Sequence, residues 1–278
     1  MASGTEVSVP YGLKPINLVG GQVFAGSTRM YPIQYGYATS IFNGDFVKVV
    51  RGSATRAAIG ATTDSNAITG VFLGCSYTDP TTKQKRFSQY WPASTLAGDA
   101  VAIVCDDPDT VFKAAVCSAT TAIASGARAM IGQNLACIDN TGNSNTGNSA
   151  NALLAPNDTP ATTSSLPVRV LGVVPETAVN LGTATYVSIS TATVTCSALP
   201  FALPVGTDVG SIAANGQYIS SGSFVDTAAS AGATSFVLNQ APAAAFAASS
   251  TLVFTQFPEL LVKLNFGQHQ YYAGTSIA

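Results

Sequence analysis

His269 is the only histidine of the chain, so it would have to be the base of any Ser-His-Asp or Cys-His system. No GxSxG elbow offers it a serine, and none of the five cysteines (Cys75, Cys105, Cys117, Cys137, Cys196) stands in a recognisable nucleophile setting. His269 therefore reads as a strand histidine. Asp106, Asp107 and Asp109 could offer carboxylate oxygens to calcium, but Pro108 interrupts them, and the glycine and distal glutamate of an EF-hand loop are missing. A turn at a sheet edge is the expectation. Gly20-Gly21 lacks the spacing that cradles phosphate. The sequon Asn157-Asp158-Thr159 matters only on a secretory route. An odd number of cysteines without a CxxC pair argues against a zinc site and a secreted disulfide framework, leaving small buried hydrophobes made in a reducing cytoplasm. No catalytic residue, cofactor or metal is expected, and no enzyme.

The chain has 278 residues, room for one large domain or two modest ones. Only 9% of them are charged, against roughly 25% in ordinary soluble domains. No apolar window approaches the ~18 residues of a membrane span, and the 47% hydrophobic content owes much to alanine. The formal net charge is −2 without a basic or acidic block, so neither nucleic acid nor membrane is an expected partner. The local cluster Lys83, Lys85 and Arg86 reads as a solvated loop. MASGTEVSVP lacks the basic and apolar regions of a signal peptide, so export is not expected. A neutral surface lacks the repulsion that keeps monomers apart, which favours a subunit of an assembly.

These residues need strands to position them. Closely spaced Pro and Gly over 1–30 forbid a helix and predict an extended N-terminal arm, lying on a neighbouring subunit or on its own domain. Tyr31, Ile33, Tyr35 and Tyr37 alternate strictly, predicting a strand. Further runs follow at Phe46–Val50, Ile68–Leu73, Ala100–Val104 and Val111–Val116, punctuated by Asn43-Gly44-Asp45 and Asp106-Asp107-Pro108-Asp109. At the centre, Gly70–Pro92 carries an apolar run, an Asp79-Pro80 turn, the basic cluster and an aromatic run ending in Trp91, the only tryptophan. Its two halves could pair as a hairpin. Thr121–Met130 could form a short helix or a loop, and Asn140–Asn148 and Ala161–Ser165 are biased polar segments expected as exposed loops. Strand returns at Leu166–Val174.

Residues 176–256 are rich in Ala, Ser, Thr and Gly and contain no Lys, Arg, Trp or His. Thr193–Pro200 continuing to Val205–Val209 has a weak counterpart in Ser235–Pro242 continuing to Ser250–Phe254, two units suited to a small β-barrel or sandwich. Leu260–Phe266 then resumes the character of 31–118, and Gln268–Tyr272 could extend that strand. The expected fold is all-β. A discontinuous β-barrel or β-tulip-like main domain (31–175 plus 257–278) follows an N-terminal arm (1–30) and carries a small inserted β module (176–256).

Tyr11-Gly12-Leu13-Lys14-Pro15-Ile16-Asn17-Leu18, Gly20-Gly21-Gln22, Ala25-Gly26-Ser27-Thr28-Arg29 and Gly36-Tyr37-Ala38-Thr39 are recurring phrases, as are Asn43-Gly44-Asp45, Gly70–Pro92 and Asp106–Asp109. Together with Leu166–Gly172 and Leu261–Phe266 they resemble the capsid decoration (cement) proteins of tailed phages, over most of 10–175 and 257–278. The resemblance implies a structural virion protein, made in the host cytoplasm. It would bind the outer surface of an assembled head as a homotrimer and clamp the major capsid protein without covalent chemistry. Residues 176–256 depart from it. Interface candidates are Tyr11, Leu13, Pro15, Ile16 and Leu18 in the arm, and Arg86, Phe87, Tyr90 and Trp91 in the central stretch; Trp91 also suits a core anchor. The alternatives are a tail or baseplate component and a secreted carbohydrate-binding or hydrolytic β protein, the last weakened by the single histidine and the absence of a paired-carboxylate motif.

Overall fold

A computed structural model describes residues 9–59, 68–118, 121–154, 165–243 and 245–272. The sequon at Asn157 and the segment Ala161–Ser164 lie outside these residues, as does the start of the arm. Strand dominates, and the helical pieces among the described residues are three-residue 3-10 turns. The chain is all-β.

The first nine strands are β1 (Lys14–Leu18), β2 (Arg29–Pro32), β3 (Ile41–Phe42), β4 (Phe46–Val50), β5 (Ser53–Arg56), β6 (Gly70–Thr78), β7 (Lys85–Ser88), β8 (Tyr90–Trp91) and β9 (Val101–Cys105). Hydrogen bonds order five of them β2-β9-β6-β4-β5, with β7 on the far half of β6. The sheet curls until Ile33 bridges Ala54, nearly closing a ring. Inside it Trp91 is fully buried, edge-on to Tyr77 with ring centres 5.3 Å apart. Gly70 is required where β6 meets β9, because a Cβ there would lie 2.1 Å from the carbonyl oxygen of Cys105. The predicted hairpin exists: Cys75–Thr78 pair with Lys85–Ser88, and the carboxylate of Asp79 caps the loop by accepting from Thr81 N and Thr82 N.

A second sheet contains β10 (Thr110–Cys117), β11 (Asn134–Leu135), β12 (Cys137–Ile138), β13 (Ala152–Leu154), β14 (Val168–Val173) and, from the far end of the chain, β21 (Glu259–Leu264). The order is β11-β14-β21-β10-β13-β12, with β1 against the first half of β10. The six strands between β14 and β21 close on themselves. They are β15 (Val179–Ser190), β16 (Thr193–Cys196), β17 (Asp208–Ile212), β18 (Tyr218–Thr227), β19 (Ser235–Leu238) and β20 (Thr251–Gln256), ordered β15-β16-β19-β18-β17-β20 in a barrel. Exchanging β15, β16 and β17 for β18, β19 and β20 leaves this neighbour order unchanged. The two similar segments of the sequence are thus twofold partners: β16 pairs antiparallel with β19, and β17 with β20. Phe254, Phe236 and Val209 fill the barrel, while Phe224 packs into the main core beside Phe257 and Leu260.

Two expectations need correction. The Tyr31–Tyr37 alternation does not make one strand: β2 stops at Pro32, and Gly36, at φ +68, turns the chain, with Tyr37 N donating to Gln34 O. Gln268–Tyr272 does not extend β21, because a 3-10 turn at Phe266–Gln268 ends it. Of the two readings of the arm, residues 13–18 follow the one in which it lies on its own domain. Leu13 is fully buried in the main core and β1 is a strand of the second sheet, since these apolar residues find their partners within the chain. Thr121–Met130 is a loop ending in a 3-10 turn at Arg128–Met130.

Candidate interaction surface

Two of the nine interface candidates are inside the protein. Leu13 and Trp91 are each 0% exposed, so neither can meet a partner; their apolar bulk holds the two cores instead. The others fall on or beside three sheets, Tyr90 lying on the two-stranded sheet of β3 and β8. On or before β1, Ile16 is exposed, Pro15 and Leu18 are half-buried, and half-buried Tyr11 donates its hydroxyl proton to Glu259 Oε1, with Lys113 Nζ 5.8 Å from its ring centre. Burial and the Glu259 carboxylate push the Tyr11 phenol far above its usual range. On β7, Arg86 pairs with Asp79 at 3.0 Å, and Phe87 stands 80% exposed. Tyr90 is half-buried and stacks on Phe42 at 5.5 Å.

A cluster the candidates do not include is assembled from three distant segments around Asp106. This carboxylate is buried. It accepts from Tyr31 Oη at 2.8 Å and from Tyr271 Oη, and pairs with Arg29 Nε at 3.2 Å. The two phenol oxygens are themselves 2.5 Å apart. His269 lies beneath, fully buried. Its Nδ1 accepts from Tyr271 N at 3.2 Å, so Nε2 carries the proton and donates to Asp106 O at 3.2 Å. Burial pulls the His269 pKa below its ordinary value, and with both nitrogens engaged the ring supports the turn and is not a free base. Above this network the Arg29 guanidinium lies 5.5 Å from the centre of the exposed Tyr271 ring. Tyr272 meets Phe266 edge-on at 4.9 Å, and Lys263 Nζ sits 4.1 Å over Phe266 and 3.5 Å from Asp109. Asp106 and Asp109 of the turn thus face the cations Arg29 and Lys263. Adjacent aromatics at Tyr271-Tyr272, close after Phe266 in a chain so poor in charge, are the one sequence signal for the cluster; its members on Arg29 and Asp106 could not be read from spacing.

Arg29 and Met30 join the cluster to a continuous exposed stretch. Of residues 19–30 only Phe24 is partly buried, packed on the main core; Val23 is 80% and Met30 68% exposed. Val23 makes an isolated bridge to Asn17, and strand pairing resumes only at Arg29.

The inserted barrel is clasped to the second sheet by Arg128. Its backbone N and Nη1 donate to the two oxygens of Asp208 at 3.0 and 2.8 Å, and its guanidinium lies 4.6 Å over the ring of Phe257. Asp208 is fully buried, and burial raises its pKa while Arg128 opposes the rise. All five cysteines are buried as free thiols, and burial pushes Cys75 up to about 12 and Cys105 and Cys117 up to about 11.

Compared with known protein families and with curated proteins, the chain matches none.

Proposed function

We propose that this chain is a structural virion protein that coats the exterior of a phage head as a trimer and stabilises the lattice of the major capsid protein. The observation that carries the reading is the exposed stretch 19–30 continued by the aromatic and cationic cluster of Arg29, Met30, Tyr271, Tyr272 and Phe266. Arg, Tyr, Phe and Met are the side chains enriched where proteins meet, and an extended segment with few strand partners can add to a neighbour's sheet. The low charge of the chain fits a surface that is covered in the assembly. The phrases shared with decoration proteins support the same assignment.

In this reading the attachment is non-covalent. Each Å² of apolar surface covered contributes roughly 25 cal/mol before association costs, and a trimer that touches several shell subunits converts modest contacts into avidity. The fully buried Leu13 holds the stretch in place, while Ile16 on β1 remains exposed beside it. The test is binding of purified protein to heads that lack it, by cosedimentation and electron microscopy. Wild-type protein is expected on the shell exterior around threefold axes in hundreds of copies. The double variant V23D/M30D is expected to fold and to remain in the supernatant. Normal coating by that variant, or a monomer that ignores empty heads, defeats the proposal.

A further inference from the structure

We propose that Lys14 and Asn43 condense into an intramolecular isopeptide bond that ties β1 to the turn ahead of β4. Lys14 Nζ is in contact with Oδ1 of Asn43, and lies 3.0 Å from Oδ1 of Asn148 and 3.4 Å from Asn43 O. Lys85, Lys113 and Lys263 each sit on a carboxylate; Lys14 instead faces two neutral amides. The far end of the Asn43 amide is also fixed, its Nδ2 donating to Leu73 O at 2.6 Å.

The backbone behind the pair is clamped. Leu13 N donates to Gly44 O at 3.1 Å, Ser149 N donates to Asn43 O at 2.9 Å, and the chain at Gly12 runs so close to Gly44 that a Cβ on Gly12 would lie 2.8 Å from Gly44 Cα. Gly12 at φ +76 and Gly44 at φ +99 hold conformations only glycine adopts freely. The amine and the amide carbonyl are therefore held together before reaction, the condition under which intramolecular steps reach effective molarities on the order of 10⁵–10⁸ M.

The chemistry balances without an added reagent. The Nζ–Cγ bond forms, the Cγ–Nδ2 bond breaks, one proton passes from Nζ to Nδ2, and the leaving ammonia departs as ammonium with the charge Lys14 carried. Partial burial draws the Lys14 amine below its ordinary pKa, with Asp45 opposing, and so raises the share of free nucleophile. Asp45 is fully buried two residues beyond Asn43, held by Ser149 Oγ at 2.5 Å, Phe42 N at 2.9 Å and Arg56 Nε at 3.0 Å. Burial pushes its carboxyl upward.

Mass spectrometry of the denatured full chain decides the matter. The wild-type protein is expected to be lighter than its sequence by one ammonia, with a branched fragment joining Lys14 to Asn43. Lys14→Arg, which keeps the cation and cannot form the amide, is expected to show its full sequence mass while retaining the wild-type circular dichroism spectrum. Full mass in folded wild-type protein after prolonged incubation overturns the proposal, as does a link from Lys14 to Asn148. The wild-type measurement stands even if the variant fails to fold.

Discussion

Replacing Arg128 with alanine strands the carboxylate of Asp208, which is 0% exposed in the wall of the inserted barrel. Removing one partner of a buried pair typically costs about 3–5 kcal/mol; the lower end applies here, because the backbone N of residue 128 and the Tyr218 hydroxyl still reach Asp208. At roughly 2–4 °C per kcal/mol for a chain of this size, a loss of about 3 kcal/mol lowers Tm by about 6–12 °C. The deficit carries a pH signature. Burial already holds the Asp208 carboxyl above its ordinary 3.8, and Arg128 is the largest influence pulling it back. A carboxyl raised in the folded state costs nothing below the unfolded pKa, where both states are protonated. The cost grows as pH climbs to the folded pKa and is constant above it. Without Arg128 the folded pKa moves higher still, so the variant's deficit is largest near neutrality and shrinks toward about pH 4. Asp208→Asn is the control: the Arg128 side chain is 37% exposed and can turn to water, so this variant loses less. Urea melts followed by far-UV circular dichroism at both pH values provide the numbers. An Arg128→Ala deficit no larger than that of Asp208→Asn, or one that does not change with pH, refutes the reasoning.

Deleting residues through Leu18 removes the buried Leu13 and uncovers an edge of β10, so the product is expected to be insoluble or unfolded; Leu13→Ala alone should cost about 2–5 kcal/mol in a urea melt. Gly70→Ala drives a methyl against the backbone of Cys105, where nothing flexible can give way, and should destabilise by about 1–3 kcal/mol, read from the shift in urea midpoint. None of the five cysteines should react with a thiol reagent in native protein at neutral pH, and all should react in urea, because each is buried with its thiol pKa raised. Rapid native labelling would show the cores to be looser than described. His269, held neutral by burial, removes stability as pH falls below the ordinary value of 6.5 and the unfolded chain takes up the proton first; a His269→Gln variant that still folds should lose that part of the acid sensitivity in the same melts.

Much of the local structure was readable in advance, and for identifiable reasons. Phe46–Val50, Val101–Cys105 and Thr110–Cys117 are apolar runs bounded by Asn-Gly and Asp-Pro turns, and each became a strand. The weak repeat between Thr193 and Phe254 appeared as two halves of one barrel. The candidate surface was harder. Leu13 and Trp91 have the chemistry of contact residues, yet cores and interfaces select the same apolar side chains, so type alone could not separate them. Tyr35 and Tyr37 kept the period of a strand while Gly36 turned the chain between them. The Asp106 network drew Arg29, Tyr31 and Tyr271 from positions that carry no shared spacing.

For most segments the local sequence settled the kind of element. Side-chain alternation, β-branching and glycine or proline at turns act within a few residues of the chain. Which strands meet was decided only in three dimensions: β21 enters between β10 and β14 after the whole inserted barrel, and any other pair of strands would have offered it the same backbone hydrogen bonds. The choice rests on which apolar faces can be buried together, as with Val262 and Phe112 on neighbouring strands of one core, and that is a property of the packed whole and of no single segment.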